Sequence, residues 1–216
     1  LGVASEYNGS YTEDTVAEHT YDNTPAKDIT TFISKVNNET HGYYIGRYEA
    51  RTSEGERTAS TEDSELTQIT VKPNDYVYNY VTQLQAAKLS RNMYSDTNFE
   101  SDLVNGYAWD TAIDFLQKCD DRADKAKPYS RQNSLNTELA QQGTNNQTIK
   151  DVICNIYDMA SNCWEWSTET SSDNRIPCVR RGGYFSGGNY NFGSGKSAFD
   201  IVTSSRDNSF RPILYL

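Results

Sequence analysis

The chain has 216 residues, a hydrophobic fraction of 36%, a mean hydropathy of −0.79 and a formal net charge of −10, with a pI near 4.7. That length holds one substantial domain with a decorated edge. The acidic balance argues against nucleic acid as a partner, since phosphate contacts need basic surface, and no apolar run is long enough for a membrane span.

Sixteen tyrosines soften the lean hydropathy, because each buries a large ring that the scale undercounts. The chain opens on Leu1 without a methionine, and Leu1–Val3 do not read as a signal peptide, so a processed form or a piece of a longer protein is expected. Residues 1–40 are polar, rich in acidic residues, threonine and asparagine, and read as an N-terminal arm or cap. The globular pattern starts at His41-Gly42-Tyr43-Tyr44-Ile45-Gly46-Arg47-Tyr48-Glu49, a short β-rich run. A charged loop over about residues 51–64 follows, then a strand-like stretch from Leu66 to Val71.

Two helices carry start signals and periodic apolar residues. Pro73-Asn74-Asp75 precedes Val77, Tyr80, Val81 and Leu84 at i, i+3, i+4 and i+7. Asn105-Gly106 precedes Trp109, Ala112, Ile113 and Leu116 at the same spacing. Residues 118–148 are charged and then Gln/Asn-rich without a period, as in a long surface excursion. From Ile149 onward, short β segments alternate with Gly, Ser, Asn and Pro, which gives an α+β domain with much irregular structure.

Reactive constellations are scarce. His19 and His41 are the histidines; His19 lies in the polar arm, so a nucleophile–base pair would rest on His41, which precedes a strand beside Gly42 and reads as an ordinary surface histidine. The glycine pairs Gly182-Gly183 and Gly187-Gly188 lack the lysine of a phosphate cradle and read as turns. Glu49, Glu54, Glu56, Glu62, Asp63 and Glu65 read as a solvated acidic surface. The spacing of Cys119, Cys154, Cys163 and Cys178 fits neither a zinc ribbon nor a CxxC site, and leaves disulfides and buried free thiols equally open. Asn162 and Glu165 carry oxygens suited to a calcium ion, though hydrogen bonds to nearby backbone are the expected role. Three N-glycosylation sequons, at Asn8, Asn38 and Asn146, matter only in a secreted eukaryotic protein.

The last third holds the sharpest contrast. Its flanks are rich in tryptophan, paired glycine and arginine–proline, while the interior is almost wholly Gly, Ser, Asn, Tyr, Phe and Asp. Tyrosine and phenylalanine offer large contact area with few rotatable bonds, and Ser, Gly and Asn add adaptable hydrogen bonding, which is the composition of a binding loop. Tyr184, Ser186, Asn189, Tyr190, Asn191, Ser194, Ser197, Phe199 and Asp200 are the candidate ligand-binding residues, with Phe185 and Phe192 expected to be buried framework.

Five motifs occur in order: Tyr43-Tyr44-Ile45-Gly46-Arg47-Tyr48-Glu49, Ala108-Trp109-Asp110, Asp158-Met159-Ala160-Ser161-Asn162-Cys163-Trp164-Glu165-Trp166, Arg181-Gly182-Gly183 and Phe210-Arg211-Pro212. Together, over roughly residues 41–216, they resemble the formylglycine-generating-enzyme branch of the C-type lectin fold. The resemblance implies two helices and a twisted antiparallel sheet whose first and last strands pair, here 43–48 beside 210–216. It also implies that Trp164 and Trp166 anchor the core and that Gly182-Gly183 turns the chain into the ligand-binding face. Pro212 in the last strand then needs an edge position or an unpaired N–H.

The enzymes of that branch use paired C-terminal cysteines to hold copper, and related sulfoxide synthases hold iron with histidines; this chain has no cysteine after Cys178 and lacks those histidines. It is closer to the non-catalytic subgroup, the variable proteins of diversity-generating retroelements, found in bacteria, phages and archaeal viruses. Their C-terminal segment is rewritten by adenine-directed mutagenesis, which enriches Asn, Tyr, Ser, Asp, Gly and Phe, the set abundant in residues 184–208. The resemblance implies a non-enzymatic binder of a protein ligand or host receptor, with a variable segment over 181–211. It would be displayed on a virion or cell surface as a monomer or small oligomer, with no cofactor beyond a structural calcium ion. A formylglycine-generating-type oxidase with a rearranged site and a structural lectin-fold module are the alternatives.

Overall fold

The computed structural model describes residues 29–94, 98–119, 151–171, 173, 175–186 and 192–215. Among them are three helices, where two were expected. The first, α1 (Ile29–Ser34), runs into a wider π turn over Lys35–Glu39. It lies in the stretch read as a polar arm, yet Phe32 is buried among Ile213, Tyr215 and Ala108. Phe32, with Val36 of the adjoining turn, seats this segment on the core.

The second helix, α2 (Gln83–Asn92), begins ten residues after Pro73 rather than next to it. The sequence signal lay instead in Thr82-x-x-Gln85. The Thr82 hydroxyl accepts from the Gln85 amide at 3.2 Å, and the Gln85 side chain accepts from the Thr82 amide at 3.1 Å, forming a capping box. Pro73-Asn74-Asp75 makes a turn with Asn74 at φ 69°. The helix-like spacing of Val77 and Val81 reflects burial of a short strand and the irregular chain after it, since both are fully buried outside α2. The third helix, α3 (Gly106–Cys119), starts where predicted. Asn105 accepts from the Ala108 amide at 2.8 Å, and Trp109, Ala112, Ile113 and Leu116 face inward.

The strands are short. They are β1 (Tyr44–Ile45), β2 (Arg51–Thr52), β3 (Tyr76–Val77), β4 (Glu100–Leu103), β5 (Val152–Ile153), β6 (Ile156–Tyr157), β7 (Trp164–Thr170), β8 (Cys178–Arg181), β9 (Lys196–Phe199), β10 (Asn208–Phe210) and β11 (Pro212–Tyr215). The stretch 66–71 contributes only a bridge from Thr70 to Arg51. A three-stranded sheet runs β1-β11-β4, a four-stranded one β10-β7-β8-β9, and β2-β3 and β5-β6 form two-stranded ribbons. First and last strands pair as expected, Tyr44 opposite Leu214 and Ile45 opposite Ile213. The β7–β10 pair is parallel, a departure from the all-antiparallel expectation. Pro212 sits in the central strand of its sheet, not at an edge; it is the strand's first residue, where a missing N–H is tolerated, and its carbonyl accepts from Gly46 at 3.0 Å.

Arg211 separates β10 from β11, so it stands where the chain passes from one sheet to the other. Its guanidinium is fully buried and reaches three elements. It pairs with Glu165 at 2.8 and 2.5 Å, and donates to the carbonyls of Gly46 at 2.6 Å and Tyr157 at 2.7 Å. Glu165 thus accepts from the Arg211 side chain, where a bond to nearby backbone was expected of it. Asn162 also bonds to a distant side chain, donating to Glu49 at 2.6 Å. Glu49 was read as solvated; it is fully buried, because Tyr48, Glu49 and Ala50 pass through the core together, and it also accepts from the Cys163 amide at 2.9 Å. Burial, with the charges of Asp158 and Glu165, pushes the Glu49 carboxyl well above its usual range, while Arg211 and Asn162 pull against that shift.

Cys119 and Cys154 form a disulfide, whereas Cys163 and Cys178 are buried thiols, so both alternatives left open by the sequence occur together. Removing one partner of a buried charge pair leaves the other unanswered in a medium of low polarity. Arg211→Met is therefore expected to lower unfolding free energy by about 3–5 kcal/mol, read by urea denaturation; a loss under about 1 kcal/mol would contradict the role given to this pair.

Candidate ligand-binding site

The four-stranded sheet has two unlike faces, and its strand register assigns them. Residues opposite one another in neighbouring strands share a face, as do alternate residues along a strand. Trp166 lies opposite Arg180, Asn208 opposite Trp164 and Phe210 opposite Trp166. Cys178 lies opposite Phe199 and Arg180 opposite Ser197. One face thus carries Trp164, Trp166, Asn208, Phe210, Cys178, Arg180, Ser197 and Phe199. Trp166, Cys178 and Phe210 are core members of this set, packed with Tyr78, Leu89 and Leu103.

The same face ends in a polar and aromatic corner. Trp164, expected to anchor the core beside Trp166, is only half-buried. Its ring stacks with Tyr184 at 5.8 Å between centroids. The Arg180 guanidinium lies 4.8 Å from the Trp164 ring and 3.9 Å from the Phe199 ring, held between two aromatic faces. Tyr184 meets Phe185 edge to face, and Arg206 lies over the Phe185 ring at 5.1 Å. Burial draws the Arg180 pKa down to about 10, against the opposing charges of Asp207 and Tyr184; the side chain stays cationic at neutral pH.

The opposite face anchors the corner. Arg181 pairs with Glu169 and lies 3.2 Å from Asp110 of α3, while Lys196 reaches Glu169 at 2.9 Å. The Trp109 indole donates to the Gly193 carbonyl at 2.7 Å, and the Gly182 amide to the Gly195 carbonyl at 3.0 Å. Gly182 adopts φ 82°, and a Cβ there would stand 2.6 Å from the Met159 carbonyl oxygen. This turn sends the chain from β8 into residues 183–186, as the resemblance implied. The Phe185 amide donates to the Asn162 carbonyl at 2.8 Å, tying that stretch to the Glu49 network.

Of the candidate residues, Tyr184, Ser197 and Phe199 come together around Trp164 and Arg180, all half-buried. Ser186 and Ser194 are exposed nearby in sequence to this frame. Asp200 is exposed, but its carboxylate accepts from the Val202 amide at 3.2 Å and the Thr203 hydroxyl at 2.7 Å, which makes it the stabiliser of a turn. Asn189, Tyr190 and Asn191 lie outside the described residues. Phe185 packs half-buried against Val77 and Cys163. Phe192, expected in the framework, is 38% exposed, because its anchoring is through its backbone carbonyl, which accepts from Gly195.

Sequence reasoning missed Arg180 and Asn208. The available signal was alternation: Arg180 lies two residues beyond buried Cys178 on the same strand, and so on the core face. Among the described residues no group of three or more His, Cys, Asp or Glu is arranged to hold a metal ion, and no helix is long and apolar enough to cross a membrane.

No family model matches the sequence, and no curated protein does. The fold has a counterpart in Treponema denticola variable protein 1, which superposes with a TM-score of 0.53 at 14% identity over 81% of this chain and 84% of that one. This chain has a C-type lectin-like fold. A weaker likeness, to CarF, has a TM-score of 0.47 at 11% identity over 64% of this chain and 67% of that one, too low to bear on the fold. Within the lectin-like fold, the Trp164–Arg180 corner occupies the sheet end toward which Gly182 directs the chain.

Because Gly182 combines a left-handed backbone with a crowded Cβ position, Gly182→Ala is expected to cost about 1–3 kcal/mol, read as a lowered urea midpoint with an unchanged denaturant slope. A variant as stable as the parent would show that this turn is not constrained.

Proposed function

We propose that the protein is a non-enzymatic ligand- or receptor-binding protein whose segment 181–211 forms a diversified recognition surface. The observation that carries this reading is the gathering of Tyr184, Ser197 and Phe199 around Trp164 and Arg180 on a frame fixed by buried ion pairs. Aromatic and arginine side chains dominate the energetics of protein interfaces, and small polar neighbours adapt to different partners. The fold shared with a protein named as variable supports the same reading, as does the resemblance of the sequence motifs to variable proteins of diversity-generating retroelements.

The chemistry of the thiols favours binding over catalysis. Cys163 is fully buried, and burial together with the charge of Glu49 pushes its thiol well above the usual range, so it stays protonated and unreactive. The paired C-terminal cysteines that hold copper in the related enzymes have no counterpart, since no cysteine follows Cys178. The Cys119–Cys154 disulfide fits display outside a reducing cytosol, on a virion or cell surface, where a protein ligand or host receptor is met.

The reading is tested in the flanking DNA. A near-duplicate of the codons for Arg181 to Arg211, beside a reverse transcriptase gene and differing chiefly at template adenines, is expected. A genomic locus with no such repeat would remove diversification from the proposal.

A further inference from the structure

The three tryptophans differ in one respect. The Trp109 indole donates to Gly193 at 2.7 Å and the Trp166 indole to Val81 at 2.9 Å. The Trp164 indole nitrogen is equally shielded from solvent and has no acceptor. Beside it, Arg180 Nε and Asn208 Nδ2 are also shielded and unpaired, and the Ser204 hydroxyl is a fourth such group. Strand register gathers three of these, since Asn208 lies opposite Trp164, and Arg180 donates through Nη1 to Asn208 Oδ1. Arg180 also faces Asp207, but at 3.7 Å, longer than a hydrogen bond.

A buried donor left unpaired costs about 1–3 kcal/mol, and native proteins rarely carry several in one place. The three nitrogens share one sense: each is an N–H donor. Their complement is an acceptor with several lone pairs and a negative charge. A guanidinium held between the Trp164 and Phe199 rings presents its fixed fork of N–H donors, which suits a planar carboxylate. A phosphate carries more charge than one arginine beside Asp207 can answer.

We propose that this corner is an acid-binding subsite, in which the carboxylate of an aspartate or glutamate side chain from a protein partner is held by Trp164 Nε1, Arg180 Nε and Asn208 Nδ2. Because these nitrogens are shielded, entry of the carboxylate requires a neighbouring side chain to move, and the half-buried Tyr184 ring stacked on Trp164 is the candidate. That the partner is a protein rests on the recognition-surface reading above. With a net charge of −10 the chain does not attract acidic surfaces at long range. The acid is therefore a local anchor within an otherwise neutral or basic contact, and it sits next to the residues that vary partner choice.

The test uses the whole isotope-labelled chain and two peptides, acetyl-Gly-Glu-Gly-amide and acetyl-Gly-Gln-Gly-amide, titrated while proton–nitrogen spectra are recorded. The Trp164 indole signal, assigned with Trp164→Phe, and the Arg180 Nε signal are expected to move and saturate with the glutamate peptide. The Trp109 and Trp166 indoles, already paired, are expected to stay. Binding to Arg180→Gln is expected to be about tenfold weaker or more, as for loss of a hydrogen bond to a charged group. Unmoved Trp164 and Arg180 signals, or equal movement with the glutamine peptide or with inorganic phosphate, would overturn the proposal. The glutamate–glutamine comparison on the parent chain decides this even if Arg180→Gln does not fold. Its failure leaves the genomic test of diversification untouched, and a missing DNA repeat leaves this subsite standing.

Discussion

Arg211 and Glu165 form the contact on which the rest of the structure depends. A charge placed in a protein interior is tolerated only when its hydrogen-bonding capacity is nearly filled. Glu165 supplies two of the bonds that Arg211 makes, and the carbonyls of Gly46 and Tyr157 supply others. Those partners lie on β7, just after β1, and on β6. The arginine can be satisfied only where the end of the chain, its first strand and the tryptophan strand meet. Because it stands at the passage from β10 to β11, one side chain fixes how the two main sheets are joined. Such a pair adds little net stability over an apolar replacement of equal shape; its effect is to exclude other arrangements.

Around that centre the polar interior forms a connected frame. Glu49 links the β1 region to Asn162 and Cys163. Glu169 links Arg181 and Lys196, and Arg181 reaches Asp110 on α3. All of these hold the strands from which residues 182–186 and 192–199 depart. The frame leaves a sheet end where aromatic rings and small polar residues are partly exposed around a buried arginine. Constraint on one face and latitude at one end are the physical requirements of a surface that changes partner without changing fold.

Much of this was legible in the sequence, and the failures share a cause. The Asn105–Leu116 helix followed from a cap and a period, and the pairing of first and last strands followed from the motifs. The helix near Pro73 was misplaced, because burial of Val77 in a short strand and Val81 in irregular chain imitates helical spacing, while the local box at Thr82 and Gln85 decides where hydrogen bonding begins. Glu49 was assigned to solvent with the acidic residues that follow it, since nothing in the sequence places Asn162 and the Cys163 amide at its side, more than a hundred positions away. Trp164 and Phe192 were misjudged for the same reason: hydrophobicity indicates that a side chain can be buried, and only the tertiary frame determines whether it is. Tyr184, Ser197 and Phe199 were chosen by composition, and the residue that organises them, Arg180, was overlooked because its neighbours come from other strands.

The central claim is that the frame carries the stability and the corner carries the recognition. It is tested most directly by thermal unfolding of one variant with Tyr184→Ser, Ser186→Tyr, Ser194→Tyr and Ser197→Asn combined, beside the parent chain. The account predicts a cooperative transition with Tm within about 4 °C of the parent, the shift that about 1 kcal/mol produces in a chain of this size. Loss of the transition, or a substantially larger drop, would show that these residues are core and contradict the account.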